Sequence, residues 1–203
     1  IKEIADVVKK YPDVVFCVDT VSSMGGTSIP VDELGIDFCI TSTQKCLGCP
    51  PGMSAASVSK KAYERAKTVP NRGLYLDIVE IYDKVVKDDK YQYPSTPSES
   101  HMFALQEELT YMLETEGLEN RFARHAEMAK YIQDWAKKHF ALFSDERYLS
   151  NTVTTIANTK GISVADLNKK LAEKGMEISN GYGDLKEKTF RISHMGDMTM
   201  DDM

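Results

Sequence analysis

Two short apolar runs constrain the fold of this chain more than any other feature of its sequence. They are VVFCV at residues 14–18 and IDFCIT at residues 36–41. Runs of this kind are typical of parallel strands that are covered on both faces. Asp19 follows the first run directly, and Lys45 stands four residues after the second. Because the carboxyl ends of parallel strands lie at one edge of a sheet, we expect this carboxylate and this amine at the same edge.

Asp19 and Lys45 together fit one type of chemistry. An amine can form a Schiff base with an aldehyde, and a carboxylate can keep a pyridine nitrogen protonated through a charge-assisted hydrogen bond. The pair therefore predicts a pyridoxal phosphate site. Two simpler interpretations stay open: Lys45 as a solvated surface lysine, and Asp19 as a turn or helix-cap residue before the sequence TVSS.

The hydrophobic pattern divides the chain into two predicted domains. Residues 1–116 alternate strands with helices, which indicates an α/β layered domain, and residues 117–203 read as a smaller α+β domain. Thr96 is predicted to cap a helix that starts at Pro97 and ends at Gly117, with Glu99 closing a capping box. The other predicted helices are 1–10, 59–67, 76–87, 118–139 and 163–174 (capped by Ser163), and the other strands are 53–58, 152–158, 176–179 and 189–194.

The charge balance disfavours two classes of partner. The chain has 25 Lys and Arg against 31 Asp and Glu, a formal net charge of -6. Nucleic acids and anionic membranes are bound by clustered basic surfaces, so neither is an expected partner. No apolar run approaches the ~20 residues of a membrane-spanning helix. Two of the four cysteines lie inside apolar runs, which suits a reducing cytoplasm better than a disulfide scaffold.

Six segments, in this order, carry a resemblance to a known family. They are DTVSSMGG, TSTQKCLGCPPG, GLYLDI, YQYPSTP, NTVTTIA and TFRISHMG. Together they resemble the class V aminotransferases, with the alanine–glyoxylate and serine–pyruvate aminotransferase group as the nearest match. The resemblance implies an α/β, aspartate aminotransferase-like fold. Residues 1–116 would be the carboxyl-terminal part of its mainly parallel large domain, and residues 117–203 its small domain, truncated here.

The same resemblance implies roles for individual residues around pyridoxal phosphate. Lys45 would form the Schiff base and also carry the proton between the substrate α-carbon and the cofactor. Asp19 would bind the pyridine nitrogen, and Val21 would pack against one face of the ring. Gln44 would hydrogen-bond the phosphate.

The family also implies a homodimer with shared active sites. Ser95 or Thr96 would reach the phosphate of the neighbouring subunit, although Thr96 as a helix cap is the structural alternative. Arg191 would hold the substrate α-carboxylate through two parallel hydrogen bonds; an isolated arginine on a strand is otherwise an ion-pair partner at the surface. His194 is expected to be a packing residue. The reaction would move an amino group between alanine or serine and glyoxylate or pyruvate.

Both ends of the chain read as cut, because residue 1 lies inside a helical pattern and Thr199 caps a helix start with little chain after it. In the family, the glycine-rich phosphate cradle and the aromatic residue that stacks on the cofactor belong to the preceding half. We therefore expect this chain alone to bind the cofactor weakly.

Other functions are weighed against transamination. Cys46 and Cys49 have the spacing of half a zinc or redox site, but no second such pair is present. Cysteine desulfurases place a histidine where Gln44 stands and use a loop cysteine beyond it, and no cysteine follows Cys49. Phosphoserine and aminoethylphosphonate aminotransferases, and a subunit or fragment without turnover, stay as alternatives.

Overall fold

A computed structural model describes residues 1–87 and 92–203. The chain forms two compact units. Unit 1 comprises Ile1–Val21, Ile29–Thr43 and Cys49–Gln106, and unit 2 comprises Ser22–Ser28, Gln44–Gly48 and Glu107–Met203. Tyr91, the first residue of the YQYPSTP segment, lies outside the described residues. The domain boundary near residue 117 stays a prediction.

Unit 1 is built on a three-stranded sheet in the order β1-β2-β3. The strands are β1 (Cys17–Asp19), β2 (Phe38–Ser42) and β3 (Ser54–Val58). The first two pair in parallel, which confirms the predicted parallel pair, and Asp19 stands opposite Ile40. The third strand is antiparallel to the second.

The first strand differs from its prediction in extent and burial. It begins at Cys17 rather than at Val14. The Asp37 side chain replaces the strand pairing that the upstream residues would need, because Asp37 Oδ2 accepts the amide of Phe16 at 2.9 Å. Coverage on both faces was also expected. Cys39 on β2 is buried, whereas Cys17 is exposed in this chain.

The helices of unit 1 are α1 (Lys2–Val8), α2 (Val31–Leu34), α3 (Lys60–Lys67), α4 (Ile78–Tyr82) and α5 (Glu99–Thr110), with π-helical continuations at Asp83–Lys87 and Tyr111–Glu116. Residues 107–110 of α5, and the π-helical turn after it, belong to unit 2. The predicted cap at Thr96 is wrong: α5 begins at Glu99, and Pro97 lies outside the helix. The carbonyl of Ser98 instead accepts the amide of Met102, so the first turn is closed two residues later than expected.

Unit 2 packs helices against an antiparallel sheet. Its elements are α6 (Leu118–His139), β4 (Ala141–Leu142), β5 (Val153–Ala157), α7 (Val164–Ala172), β6 (Ser179–Asn180) and β7 (Thr189–Ser193), with short 3-10 turns at Glu146–Tyr148, Gly183–Leu185 and Met200–Asp202. The strand order is β4-β5-β7-β6. Ala136, Ile156, Val164 and Phe190 form its core. Among the described residues, no helix is long and apolar enough to cross a membrane.

Local hydrogen bonds explain where unit 2 follows the sequence patterns and where it departs from them. Ser163 caps α7 as predicted, because its side chain accepts the amide of Asp166. The strand expected at 176–179 shortens to Ser179–Asn180. Its upstream part is held instead by Asn168, whose side-chain amide bonds both the amide and the carbonyl of Ile178, at 2.9 and 2.8 Å.

Candidate active site

Arg191 lies on the face of the unit 2 sheet that is turned away from the core. Its neighbours on β7, Phe190 and Ile192, pack in the core, and side chains alternate along a strand. The residues opposite Arg191 are Thr155 on β5 and Ser179 on β6, both small. Among the described residues the buried Nε of Arg191 has no hydrogen-bond partner. Buried donors are normally paired, so this atom fits a ligand that brings an acceptor, such as a carboxylate.

Tyr182 covers the guanidinium of Arg191. The Cζ of Arg191 lies 4.1 Å from the centroid of the tyrosine ring. A hydrogen-bonding interaction with Arg191, the charge of that guanidinium and the charge of Lys45 together lower the pKa of the Tyr182 phenol. Unit 2 therefore brings Lys45 and Arg191, two of the predicted site residues, within electrostatic range of one side chain.

Lys45 is carried by a short segment, residues 44–48, that we call the lysine turn. The amide of Gly48 donates to the carbonyl of Lys45 at 3.0 Å and closes the turn. Cys46, next to Lys45, is fully buried; its thiol donates to the carbonyl of Ser22 at 3.3 Å, and its carbonyl accepts from Arg121 at 2.9 Å. Lys45 itself is half-buried. Its backbone is thus fixed by its neighbours.

Arg121 is the centre of a group of charges beside the lysine turn, of which Asp197 is 53% exposed and the others are largely buried. Its side chain is fully buried, and it donates to Glu116 at 2.7 Å and to Asp197 at 3.0 Å. Its Nη2 also lies 3.0 Å from Glu108 Oε1. Burial opposes the charge of Arg121, but the hydrogen bonds that it donates to Glu116 and Asp197 outweigh this effect, so the pKa of this guanidinium is raised. We call Arg121, Glu108, Glu116 and Asp197 the Arg121 cluster.

The chain after β7 packs against the other side of the lysine turn. A Cβ added at Gly48, where φ is 67°, would lie 2.8 Å from Asp197 Oδ2, and one at Gly196 would lie 3.3 Å from the Lys45 carbonyl. Arg124 holds this segment by donating to the carbonyls of Gly196 and Met198. The lysine turn is therefore fixed between the Arg121 cluster and the segment that continues from the Arg191 strand.

Two buried histidines lie in the same unit. His194 Nδ1 donates to the carbonyl of Asn151 at 3.1 Å, so its Nε2 accepts from the Thr154 hydroxyl at 2.8 Å. Burial lowers the pKa of His194 to about 4. The expected packing role of His194 agrees with this environment. His125 is also buried, and burial lowers its pKa as well.

The histidine environment predicts a pH dependence of stability. The folded state keeps His194 neutral down to about pH 4, while the unfolded chain binds a proton near pH 6.5. The unfolded state therefore gains protons first, and the free energy of unfolding falls between pH 6.5 and 4 by up to ~3 kcal/mol from this residue. Urea unfolding of the intact protein at several pH values measures it. His194→Gln is expected to flatten this part of the profile; a parallel profile would contradict the assignment.

In unit 1, Asp19 ends β1 with its carboxylate exposed. Its Oδ1 accepts the amide of Val21 at 2.8 Å, so one oxygen holds a turn, in agreement with the simpler interpretation of this residue. No partner for its Oδ2 is found in the described part of the chain. The next residue, Thr20, is buried and donates to the carbonyl of Ile40 at 2.8 Å, which fixes the turn onto β2. Asp19 can therefore hold the turn and still present an oxygen to a ligand.

The remaining predicted site residues are distributed over both units. Val21 belongs to unit 1 and is half-buried, and Gln44 belongs to unit 2 and is exposed. Ser95 and Thr96 lie in unit 1, exposed, in the loop before α5. Their proposed roles involve groups from outside this chain or from the cofactor, and they stay predictions.

The buried thiol disfavours redox or metal chemistry at the CLGC segment. Burial raises the pKa of Cys46 to about 11. Nucleophilic and metal-binding cysteines act as thiolates, which form readily only when that pKa is lowered.

Comparison with known proteins decides the family. The model of the class V aminotransferase family matches residues 1–202. The chain belongs to the class V aminotransferases. It is 42% identical over 199 residues to a Methanocaldococcus jannaschii protein named as an uncharacterized aminotransferase, covering 97% of this chain and 51% of that protein. It is 31% identical to a serine–glyoxylate aminotransferase of Arabidopsis thaliana, over 93% of this chain and 47% of that protein.

A solved structure shows the same fold as this class V aminotransferase chain. The crystal structure of an alanine–glyoxylate aminotransferase from Nostoc sp. superposes with a TM-score of 0.87 at 27% identity, covering 97% of this chain and 52% of that one. The predicted aspartate aminotransferase-like fold is thus confirmed for the part present. The chain spans about half the length of the curated relatives it matches.

Two features around the candidate site of this class V aminotransferase chain were missed by the sequence patterns. Tyr182 lies in a polar loop, and no hydrophobic periodicity in that segment singles it out. Arg121 carried a usable signal: the buried residues of α6 are Arg121, His125, Met128, Ala129, Ile132 and Ala136. These positions follow the three-to-four residue spacing of a helix face that packs inward, so a charged residue on this face indicates a buried ion pair.

Proposed function

We propose that the intact protein is a pyridoxal phosphate-dependent aminotransferase that moves the amino group of a small amino acid, such as alanine or serine, to glyoxylate or pyruvate. The observation that carries this proposal is the buried, unpartnered Nε of Arg191 in the same compact unit as the fixed lysine turn. An amino acid substrate needs both an amine-reactive centre and a carboxylate receptor. Family membership and relatives named for glyoxylate support the choice of acceptor.

The donors present fit the cofactor. The buried hydroxyls of Thr41 and Ser42, at the end of β2, have no hydrogen-bond partner in the described ranges. Buried hydroxyls without partners are expected where a ligand such as a phosphate satisfies them. Asp19 supplies an acceptor for a pyridinium, and Lys45 supplies an amine. When bound, pyridoxal phosphate supplies an aldehyde that condenses with amines and a ring that accepts the electrons released at the substrate α-carbon.

Each of these residues would then have a defined role. Asp19, with Oδ1 fixed by the Val21 amide, would accept a hydrogen bond from the protonated ring nitrogen through Oδ2 and so keep the ring cationic. Lys45 Nζ would hold the cofactor and, once displaced by the substrate amine, take the proton from the α-carbon and return it at the end of the half-reaction. The fixed lysine turn anchors the backbone of Lys45 and so limits how far its amine can move. This favours transfer of the proton back to the substrate over exchange of the proton with water.

Arg191 would bind the substrate α-carboxylate through its in-plane donors, including Nε. Val21 would pack on one face of the cofactor ring, and Gln44 would bind its phosphate. Ser95 or Thr96 would complete the phosphate site of a second subunit in a cytoplasmic homodimer. These assignments follow from the family resemblance.

Borohydride reduction of the intact protein tests the proposal. Lys45 is expected to carry the cofactor covalently after reduction, as shown by the mass of the peptide that contains it. Alanine or serine added before reduction should release the label, and glyoxylate should restore it. Label on another lysine, or none, would contradict the proposal. Release by phosphoserine but not by alanine would move the assignment to a phosphoserine aminotransferase.

A further inference from the structure

The loop between β6 and β7 holds Tyr182 in a defined place although its side chain is 75% exposed. Gly181, just before it, has no room for a side chain: an added Cβ would lie 2.1 Å from the carbonyl oxygen of Leu185. The amide of Gly181 donates to the carbonyl of Thr189 at 2.9 Å, and the amide of Leu185 donates to the carbonyl of Tyr182 at 3.0 Å. The backbone therefore fixes the direction in which the tyrosine leaves the loop.

The tyrosine ring lies against Arg191 there. The Cζ of Arg191 lies 4.1 Å from the centroid of the ring, close enough for the ring to cover one side of the guanidinium. Such a contact is attractive because the negative face of the ring meets a delocalised cation. A ring over the face leaves the in-plane nitrogens open, and those are the atoms that bind a carboxylate in two parallel bonds.

The contact with Tyr182 supports the Arg191 guanidinium where its strand neighbours do not. A guanidinium that binds a substrate should be held in one plane before the substrate arrives, since ordering it later reduces affinity. Its strand neighbours Thr155 and Ser179 are too short to clamp it. In the described part of the chain Nε makes no hydrogen bond that would fix it. The ring of Tyr182 is the contact that can hold this plane.

We propose that Tyr182 is a positioning residue of the reaction, whose ring holds the Arg191 guanidinium in the plane that receives the substrate carboxylate. This inference rests on the proposed function, because it deepens the role given to Arg191. The ring acts through its face, and Tyr182→Phe separates this contact from the hydrogen-bonding interaction of the phenol with Arg191. The shared electrostatic influence of Arg191 and Lys45 on the phenol agrees with a position beside the reacting groups.

The chain contains a matched control. Tyr148 is also largely exposed, at 66%, and lies over an arginine of the same unit, with Arg147 Cζ 5.3 Å from its ring centroid. Arg147 is paired with Asp145 at the surface. Replacing Tyr148 removes a tyrosine–arginine contact of the same type without touching Arg191 or Lys45.

Four variants of the intact holoenzyme test the inference: Tyr182→Leu, Tyr182→Phe, Tyr148→Leu and Arg191→Ala. Tyr182→Leu is expected to raise both KM for the amino donor and the Kd of propionate, a carboxylate that cannot react, by roughly three- to tenfold, with kcat within about twofold. Tyr182→Phe keeps the ring and should stay closer to the native values than Tyr182→Leu, and Tyr148→Leu should keep the native values. Urea midpoints and borohydride labelling of Lys45 should be unchanged in all three tyrosine variants.

Each of the other possible outcomes would contradict one particular statement. If Tyr182→Leu binds propionate like the native enzyme while Arg191→Ala does not, the inference fails and the proposed function stands. If Tyr182→Phe is as weak as Tyr182→Leu, the hydroxyl acts and the ring assignment is wrong. If Arg191→Ala binds propionate normally, the carboxylate role of Arg191 fails, and with it the positioning role of Tyr182. Loss of propionate binding in Tyr182→Leu that is accompanied by a lowered urea midpoint would assign the effect to folding and overturn the inference.

Discussion

Replacing Lys45 with alanine in the intact protein is expected to lower turnover by at least about four orders of magnitude. The variant loses the amine that would hold the cofactor and the base that would move the α-proton, and a positioned general base alone contributes ~10²–10⁴. The fold should be kept, because the turn is held through the Cys46 carbonyl and thiol and not through the lysine side chain. Single-turnover measurement with alanine, after saturation with pyridoxal phosphate, provides the rate.

Lys170→Ala is the matched control for this change, since Lys170 is exposed on α7 of the same unit. It should retain native turnover. Native activity in Lys45→Ala would remove Lys45 from the chemistry. A large loss in both variants would show that the measurement responds to something other than the site.

Replacing Arg121 with methionine is expected to destabilise the protein by about 3–5 kcal/mol, the usual cost of leaving buried charges without their partner. Glu116 and Glu108, whose side chains are 10% and 13% exposed, would lose a cation at 2.7 and 3.0 Å, and the Cys46 carbonyl would lose its donor. Methionine is close to arginine in length, so the effect of an empty volume is kept small. The free energy of unfolding from urea titration is the measurement.

Arg147→Met provides the comparison for Arg121→Met. Arg147 pairs with Asp145 at 2.7 Å, but both side chains are exposed, and such surface pairs contribute little to stability because solvent screens them. The two substitutions remove the same chemical group from one buried and one exposed ion pair. Equal effects would show that the Arg121 cluster does not carry the stability of the lysine turn.

The sequence patterns predicted the elements whose contacts are local. The parallel pair β1 and β2, the β-branched strand β5 and the helix capped by Ser163 were all predicted, because strand period and capping are properties of neighbouring residues. The errors in the strands lie where a distant side chain replaces regular pairing. Asp37 fastens the segment before β1, and Asn168 fastens Ile178; neither contact has a signature in the residues it affects.

Some residues of the candidate site could likewise be predicted from the sequence, and others could not. Lys45 and Asp19 could be selected because they follow predicted strands, and the family resemblance added Arg191. Tyr182 could not be selected from the sequence, because its contact with Arg191 depends on the pairing of β6 with β7 and on the tight backbone at Gly181. Strand register is a long-range property, and it decides which loop residue reaches which strand residue.

The buried support of Lys45 and the open position of Tyr182 have a consequence for how such an enzyme changes over time. The amine is carried by a turn in which a change at Cys46 or Gly48 disturbs several distant segments at once. The tyrosine sits on a loop whose side chains are mostly in water. Under the proposed roles, substitutions in the exposed loop can therefore alter the preference for the amino donor while Lys45 and its support are kept, so laboratory libraries aimed at new donors belong in residues 182–186.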